Sequence, residues 1–253
     1  MNVVAVIQAR MNSRRLPNKV LLPLSGRTVL EHIYNRLKYC KTLNEIVVAT
    51  SSADLDQSIV KLCQQINIKY YKGNLEDVLD RFYQVATLYK ADVIVRITGD
   101  CPVIDPNIVD EVVNYYLNDD YDFCSLSGDF PDGLDCQVFK FQALKKSWKE
   151  ANLPSDREHV GSYIEKTCPK LFKIGSFKKF KDLAHHRWTL DEPKDYAFLK
   201  EIFSRLYNKD KFFCTADILK LLEKEPDLFE INREIKRNEG YLQSLINNNI
   251  LND

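Results

Sequence analysis

Four cations crowd the segment that follows the first apolar run of the chain: Arg10, Arg14, Arg15 and Lys19, set among small residues such as Ser13. A strand-like run over residues 3–7 gives way at Arg10, and the next helical pattern begins only at Thr28. That leaves a connection of roughly eighteen residues where strand-to-helix loops usually take about 2–6. Guanidinium and ammonium groups in a long loop at the exit of a buried strand suit the spread negative charge of a polyphosphate. A solvated basic loop is the plainer alternative.

Carboxylates at element ends are the natural counterparts. Asp100 leaves a strand-like run over residues 92–97 through a tight Thr98-Gly99 turn, in Arg96-Ile-Thr-Gly99-Asp100-Cys-Pro102. Ligands of open α/β sheets bind outside the carboxyl ends of the strands. Mg²⁺ commonly takes one or two protein carboxylates, with phosphate oxygens and water completing its octahedron. Asp100 opposite the basic loop fits that pattern; an aspartate bonding its own backbone in a turn is the alternative. Asp191 ends a short strand-like stretch in His185-His-Arg187-Trp-Thr-Leu190-Asp191-Glu-Pro193-Lys-Asp195. It is either a second acidic ligand or the cap of the proline-opened helix that follows. On such a strand His185 and His186 face opposite ways, so at most one enters a site, and Trp188 reads as core.

The elements that must position these groups alternate. Strand patterns at 3–7, 45–50, 68–71 and 92–97 are each followed by a stretch of helical period, and they are too apolar for a half-exposed sheet. Thr28-Val-Leu-Glu31 has the form of a capping box ahead of Val29, Ile33 and Leu37. Asp105-Pro106 caps and opens a helix carrying Ile108, Val109, Val112, Val113 and Tyr116. The pattern predicts a mainly parallel α/β sheet with helices on both faces. After Tyr121 the alternation fails. Strands near 122–126 and 137–139 flank a turn-rich segment, helical stretches follow at 141–151, 156–166 and from about 194, and this middle portion reads as a small lobe inserted beside the sheet. The Asn-rich end, 247–252, is expected to fray.

Bulk properties narrow the class. Lys and Arg number 36 against 36 Asp and Glu, so no basic field calls for nucleic acid. No apolar run is long enough to span a membrane, and no signal peptide is evident. Seven scattered cysteines without a C-x-x-C pair read as reduced thiols in a cytoplasmic protein, and the histidines lack zinc-ligand spacing to them. Neither G-x-G-x-x-G after the first strand nor G-x-x-x-x-G-K-[ST] is present, and G-x-S-x-G is missing.

Ile7-Gln-Ala-Arg10-Met-Asn-Ser13-Arg-Arg15-Leu-Pro17-Asn-Lys19 closely resembles the signature of cytidylyltransferases that make CMP-activated 3-deoxy-octulosonate and acylneuraminates. Over residues 3 to about 200 the chain is most similar to the SpsF-like branch. The supporting stretches are Arg96 to Pro106, Phe130-Pro-Asp-Gly-Leu-Asp135, Arg157-Glu-His159 and Arg187 to Asp195. The resemblance implies a nucleotide-diphospho-sugar transferase-like, Rossmann-like fold, CTP as donor, an anionic small-molecule acceptor, Mg²⁺ as cofactor and a possible homodimer. It implies a single domain with a nucleotide-binding half (about 1–120), an acceptor and metal half (about 121–205) and a C-terminal helical extension (about 206–253). Carried over by position, Arg10, Arg15 and Lys19 would hold the triphosphate and, with Asp100, drive the reaction. Ala9, Ser13, Thr98 and Gly99 would complete the nucleotide site. Asp100 and Asp191 would hold the metal. Asp132, Asp135, Arg157 and His159 are acceptor-site candidates, with surface roles as the plainer alternative for Arg157 and His159. Two positions depart from the SpsF-like pattern, both on the acceptor side: Gln137 stands where a Glu is usual, and Gly161-Ser-Tyr163 where Thr-Pro-Tyr is usual.

Two other functions compete with this reading. One is a catalytically silent nucleotide-binding domain. The other is a sugar-nucleotide-dependent glycosyltransferase of related fold, whose metal motif has the spacing of Asp54-Leu-Asp56; acidic residues at an expected helix start explain that pair more simply.

Overall fold

Strand β1 (Val3–Gln8) is apolar along its length because both of its faces are covered. Val3, Ala5 and Ile7 enter one core while Val4 and Val6 enter another, the pattern of a parallel strand between two helical layers. A computed structural model describes residues 1–209 and 211–237. After β1 the chain makes a small separate hairpin, β2 (Pro23–Leu24) with β3 (Arg27–Thr28), and then helix α1 (Val29–Leu37). Next come β4 (Glu45–Ser51), α2 (Gln57–Gln65), β5 (Lys69–Gly73), α3 (Val78–Leu88), β6 (Val93–Thr98) and α4 (Pro106–Asn118). The four large strands lie parallel in the order β5-β4-β1-β6.

The expected helix starts are present. Thr28 Oγ1 accepts from the Glu31 amide at 3.2 Å and Glu31 Oε2 accepts from the Thr28 amide at 2.7 Å. Asp105 caps α4 through the Asn107 amide at 3.0 Å. Its second oxygen accepts from the amide and hydroxyl of Thr215, both at 2.8 Å, which ties a later helix to α4.

From residue 121 the chain extends the sheet rather than standing beside it as a lobe. Strands β7 (Phe123–Leu126) and β8 (Cys136–Lys140), with β9 (Ile174–Phe177), which the sequence pattern did not announce, continue it in the order β6-β8-β7-β9. Only β8 runs antiparallel to its neighbours in this sheet. Helix α5 (Phe141–Glu150) follows β8. The helix expected over 156–166 is two pieces. Helix α6 (Pro154–Glu158) ends before a turn over residues 159–162, and a wide π turn covers Tyr163–Thr167. Gly161 sits in that turn against the Gln137 amide, where a Cβ would come within 3.0 Å, and glycine is a poor helix residue. The Thr167 hydroxyl donates to both Asp156 carboxylate oxygens at 2.9 Å, folding the second piece onto the first.

No strand ends at Asp191; Arg187 makes a single bridge to Asp132 before α7 (Pro193–Leu206). Helices α8 (Thr215–Lys224) and α9 (Asp227–Glu230) pack on α7. Residues 247–252 lie outside the described residues. Helices α1, α2, α4, α7 and α8 cover one face of the sheet, and α3 and α5 cover the other. Among the described residues no helix is long and apolar enough to cross a membrane, and all seven cysteines are free thiols.

The chain leaves β1 toward β4 and returns through α3 to β6 on the opposite side, so the winding reverses between β1 and β6. A ligand crevice is expected there. Its floor is tight: the Gly99 amide donates to the Gln8 carbonyl at 2.8 Å. A Cβ on Gly99 would lie 2.7 Å from that oxygen. Gly99→Ala is therefore expected to lower stability by about 1–3 kcal/mol, because the added methyl meets backbone and not a flexible side chain. Urea denaturation followed by circular dichroism checks this; an unchanged midpoint would contradict it.

Candidate active site

Three segments converge on the reversal between β1 and β6. The first is the basic segment after β1, and it is an ordered structure. Ala9 is buried, its amide bonded to the Ala49 carbonyl at 3.1 Å. The Met11 amide donates to Asp56 Oδ1 at 2.7 Å, and the other Asp56 oxygen accepts from the amide and hydroxyl of Ser51. The Met11 carbonyl in turn accepts from the amides of Ser13 and Asn18, at 2.9 and 3.2 Å. Asn18 takes a left-handed conformation (φ 61°) and starts a 3₁₀ turn over Lys19–Leu21, with Val20 buried beneath it. Lys19 therefore projects from a fixed turn.

The second segment is the turn after β6 carrying Asp100, and the third carries Asp191. The Leu190 amide donates to the Asp100 carbonyl at 2.8 Å and joins the third to the second, while the Trp188 amide donates to the Asp132 carbonyl at 2.7 Å. Gly133 permits the latter approach. Its φ is +102°, and a Cβ there would lie 2.5 Å from the Thr189 nitrogen. Asp195, fully buried, receives the amides of Asp191 and Glu192, Nε and Nη2 of Arg187 and the Asn232 amide, each at 2.9 Å. Glu192, not Asp191, is the cap of α7, so the Asp191 carboxylate is left to project into the crevice.

There the three segments meet in one cluster. Lys19 Nζ lies 2.7 Å from Asp100 Oδ2 and 2.6 Å from Asp191 Oδ1. Arg15 reaches Asp191 at 2.9 Å and Glu192 at 3.3 Å. Burial opposes ionisation of Asp100, yet the Lys19 ammonium and the Thr98 hydroxyl outweigh it and hold the pKa down at about 2. For Lys19 burial is again the largest influence, and the two carboxylates overcome it and raise the pKa. One ammonium spanning two carboxylates shows that both oxygens can address a single cation. Two protein carboxylates meet the needs of a hard ion that fills the rest of its shell with phosphate and water. The donor set fits such an ion.

Arg10 lies apart from this cluster. Its guanidinium turns toward α6 and pairs with Glu158 at 3.3 Å.

A family model described as cytidylyltransferase matches residues 4–235. The chain belongs to the cytidylyltransferase family. It is 39% identical to an uncharacterised protein of Methanocaldococcus jannaschii, over 94% of this chain and 97% of that one. It is 28% identical to the spore coat polysaccharide biosynthesis protein SpsF of Bacillus subtilis, over 89% and 96%. A solved cytidylyltransferase from Leptospira borgpetersenii superposes with a TM-score of 0.87 at 32% identity, covering 94% of this chain and all of that one. The nucleotidyltransferase architecture and the SpsF-like likeness read from the sequence therefore hold.

Several expectations for this cytidylyltransferase need correction. Arg157 does not face the crevice: its Nε and Nη2 bind Asp77, and its Nη1 donates to the Trp148 carbonyl at 2.7 Å, so it joins α6 to α3 and α5. His159 ends α6, half-buried and not on a helix surface, with burial lowering its pKa. His185 and His186 are on no strand and do not diverge; their rings lie 4.2 Å apart, against Phe229. Trp188 is core, as expected. Asp56 is buried and engaged with Met11 and Ser51, so Asp54-Leu-Asp56 is not a metal motif.

Asp132 and Asp135 sit beside the Asp191 segment. Asp132 pairs with Arg187 at 3.1 Å, and the Gly133 amide donates to Asp135 at 3.2 Å. Sequence reasoning passed over the residues that hold others in place, Asp56 and Asp195, and also Arg96, whose guanidinium reaches the side chains of Gln8 and Gln137. A basic residue inside an apolar strand was the available signal for Arg96; nothing local marks Asp56 or Asp195.

Burial, and then the nearby Asp135 charge, push the Asp132 carboxyl up to about 7 against the pull of Arg237 and Arg187. A carboxyl whose folded pKa is raised binds its proton more tightly when folded. Its contribution favours folding below about pH 4 and is lost as the pH climbs toward 7. In metal-free buffer the fall in melting temperature between about pH 5 and 8 should be shallower for Asp132→Asn than for wild type. Equal slopes would contradict it.

Proposed function

We propose that the protein transfers CMP from CTP to a small anionic acceptor, a sugar acid or a phosphorylated sugar or polyol, with Mg²⁺ as cofactor and pyrophosphate as second product. The observation that carries this is the meeting of Lys19, Arg15, Asp100 and Asp191 at the β1–β6 reversal. CTP brings about four negative charges, which repel an anionic nucleophile unless neutralised, so the work of the site is positioning and charge stabilisation. Mg²⁺ held by Asp100 and Asp191 would neutralise and orient phosphate oxygens. Lys19, a compact charge on a flexible stem, suits the departing pyrophosphate, and the planar forks of Arg15 and Arg10 suit paired phosphate oxygens. Ala9, Ser13, Thr98 and Gly99 line the approach of the nucleotide. The acceptor oxygen bonds to the α-phosphorus as the bridging P–O bond breaks; pyrophosphate leaves with that electron pair, and the acceptor proton passes to water.

Family membership supports the cytidylyl group, and the SpsF relative's name supports a role in surface polysaccharide or glycan synthesis. The free thiols suit a reducing compartment, and a cytoplasmic location belongs to the same proposal. Pyrophosphate release from each of the four nucleoside triphosphates, with a panel of sugar acids and phosphorylated sugars or polyols, tests the reading. CTP should be preferred, and a chelator should abolish turnover. Asp100→Asn and Arg15→Gln should each lose about 100-fold in kcat/KM, on the scale of one lost transition-state contact, with unchanged circular dichroism. Wild-type rates in either variant would refute the assignment.

A further inference from the structure

On the sheet face beneath α3 and α5, side chains change character in register. Ile94, Phe139 and Phe123 lie opposite one another on β6, β8 and β7, all buried in the core. Two residues nearer the crevice, the paired positions are Arg96, Gln137 and Ser125. Desolvating such a row is costly unless polar groups meet it. They do, in a chain that crosses four strands. Arg96 donates to Gln8 Oε1 at 3.2 Å and to Gln137 Oε1 at 2.8 Å. The Gln137 amide nitrogen donates to Glu165 Oε2 at 3.4 Å, and the Ser125 hydroxyl donates to Glu165 Oε1 at 2.8 Å.

Gln137 is thereby fixed with its oxygen on a cation and its nitrogen on an anion. Each of these side chains belongs to a residue that is only partly buried, so the row is not sealed within the core. It lies beside the reaction site. Arg96 is within electrostatic reach of Asp100 and Asp135, and His159 within that of both Arg96 and Arg10.

We propose that this row selects the acceptor, taking a sugar whose anionic group pairs with Arg96 and whose hydroxyl or amino groups donate to Glu165. The assignment rests on the nucleotidyl-transfer reading above and narrows its acceptor to molecules with an anionic end and a donor-rich end. A guanidinium has five N–H groups, and among the described residues Arg96 uses two of them on Gln8 and Gln137. A neutral sugar would leave Arg96 without its counter-charge, and a small anion lacking hydroxyls would leave Glu165 without donors. Burial lowers the Arg96 pKa and raises that of Glu165, so each ion gains from a ligand partner. The anionic group can be carboxylate or phosphate, since a guanidinium fork matches both.

The charge-removing variants Arg96→Gln and Glu165→Gln test this, with 3-deoxy-octulosonate and N-acetylneuraminate as acids, their methyl esters as neutral controls, and sugar phosphates as the phosphate arm. Each variant should raise the acceptor KM about tenfold or more, the scale of a hydrogen bond to a charged group, with the KM for CTP unchanged. Arg96→Gln should also erase the preference for acid over ester. Turnover of sugar phosphates in place of acids, with the same response to the variants, supports the row and assigns phosphate to Arg96. An unchanged acceptor KM in both variants, or an equal rise in the KM for CTP, overturns the row. Calorimetry of the acids alone separates the two failures. Acid binding that Arg96→Gln removes, in a protein releasing no pyrophosphate from any nucleotide, supports the row and overturns the nucleotidyl-transfer reading instead.

Discussion

Two carboxylates from segments 91 positions apart in sequence share one ammonium, and the local architecture is arranged around that contact. Like charges about 4 Å apart repel by about 1 kcal/mol in water and about 4 kcal/mol at a protein surface. Asp100 and Asp191 are therefore tolerated together because Lys19 lies between them and Arg15 also pairs with Asp191. The same constraint explains the supporting parts. Asp195 gathers the start of α7 so that Asp191 points away from its helix, Gly133 lets the Trp188–Thr189 backbone pack against the Asp132 segment, and the Leu190–Asp100 bond fixes the spacing. Two carboxylates held around one small cation are the arrangement that the proposed divalent ion and its phosphates would use.

The crevice has two sides with different chemistry. Lys19, Arg15 and the paired aspartates form one. The polar row of Arg96, Gln137, Ser125 and Glu165 forms the other, and Arg10 pairs with Glu158, outside the cluster around Lys19. Both sides arise from the same sheet. Parallel strands deliver Gln8, Arg96 and Ser125 at their carboxyl ends, while the antiparallel β8 brings Gln137 at its amino end. The extension of the sheet past β6 is thus what gives the nucleotidyl-transfer scaffold a second polar surface.

Local signals made much of this legible. The Thr28 and Asp105 caps, the two-faced apolar strands and the crowded cations each report on a few neighbouring residues, and the helices, parallel strands and basic segment follow from them. What stayed hidden depends on residues distant in sequence. Asp56 reads as a helix-start acid until Met11 is found on it, and Asp195 reads as an ordinary first-turn residue until Arg187, Asn232 and two backbone amides converge there. Arg157 carries the opposite lesson. It stands in a recognisable motif, but Asp77 and the Trp148 carbonyl hold it as a strut. The break between α6 and the π turn rests on Gly161 meeting Gln137, a contact invisible to helical periodicity.

The paired aspartates are tested most directly by Mn²⁺ paramagnetic resonance in the presence of CTP. The account predicts one tightly bound Mn²⁺ per chain, with broadening from the nucleotide, and its loss in both Asp100→Asn and Asp191→Asn. Undiminished Mn²⁺–CTP binding in those two variants would contradict it.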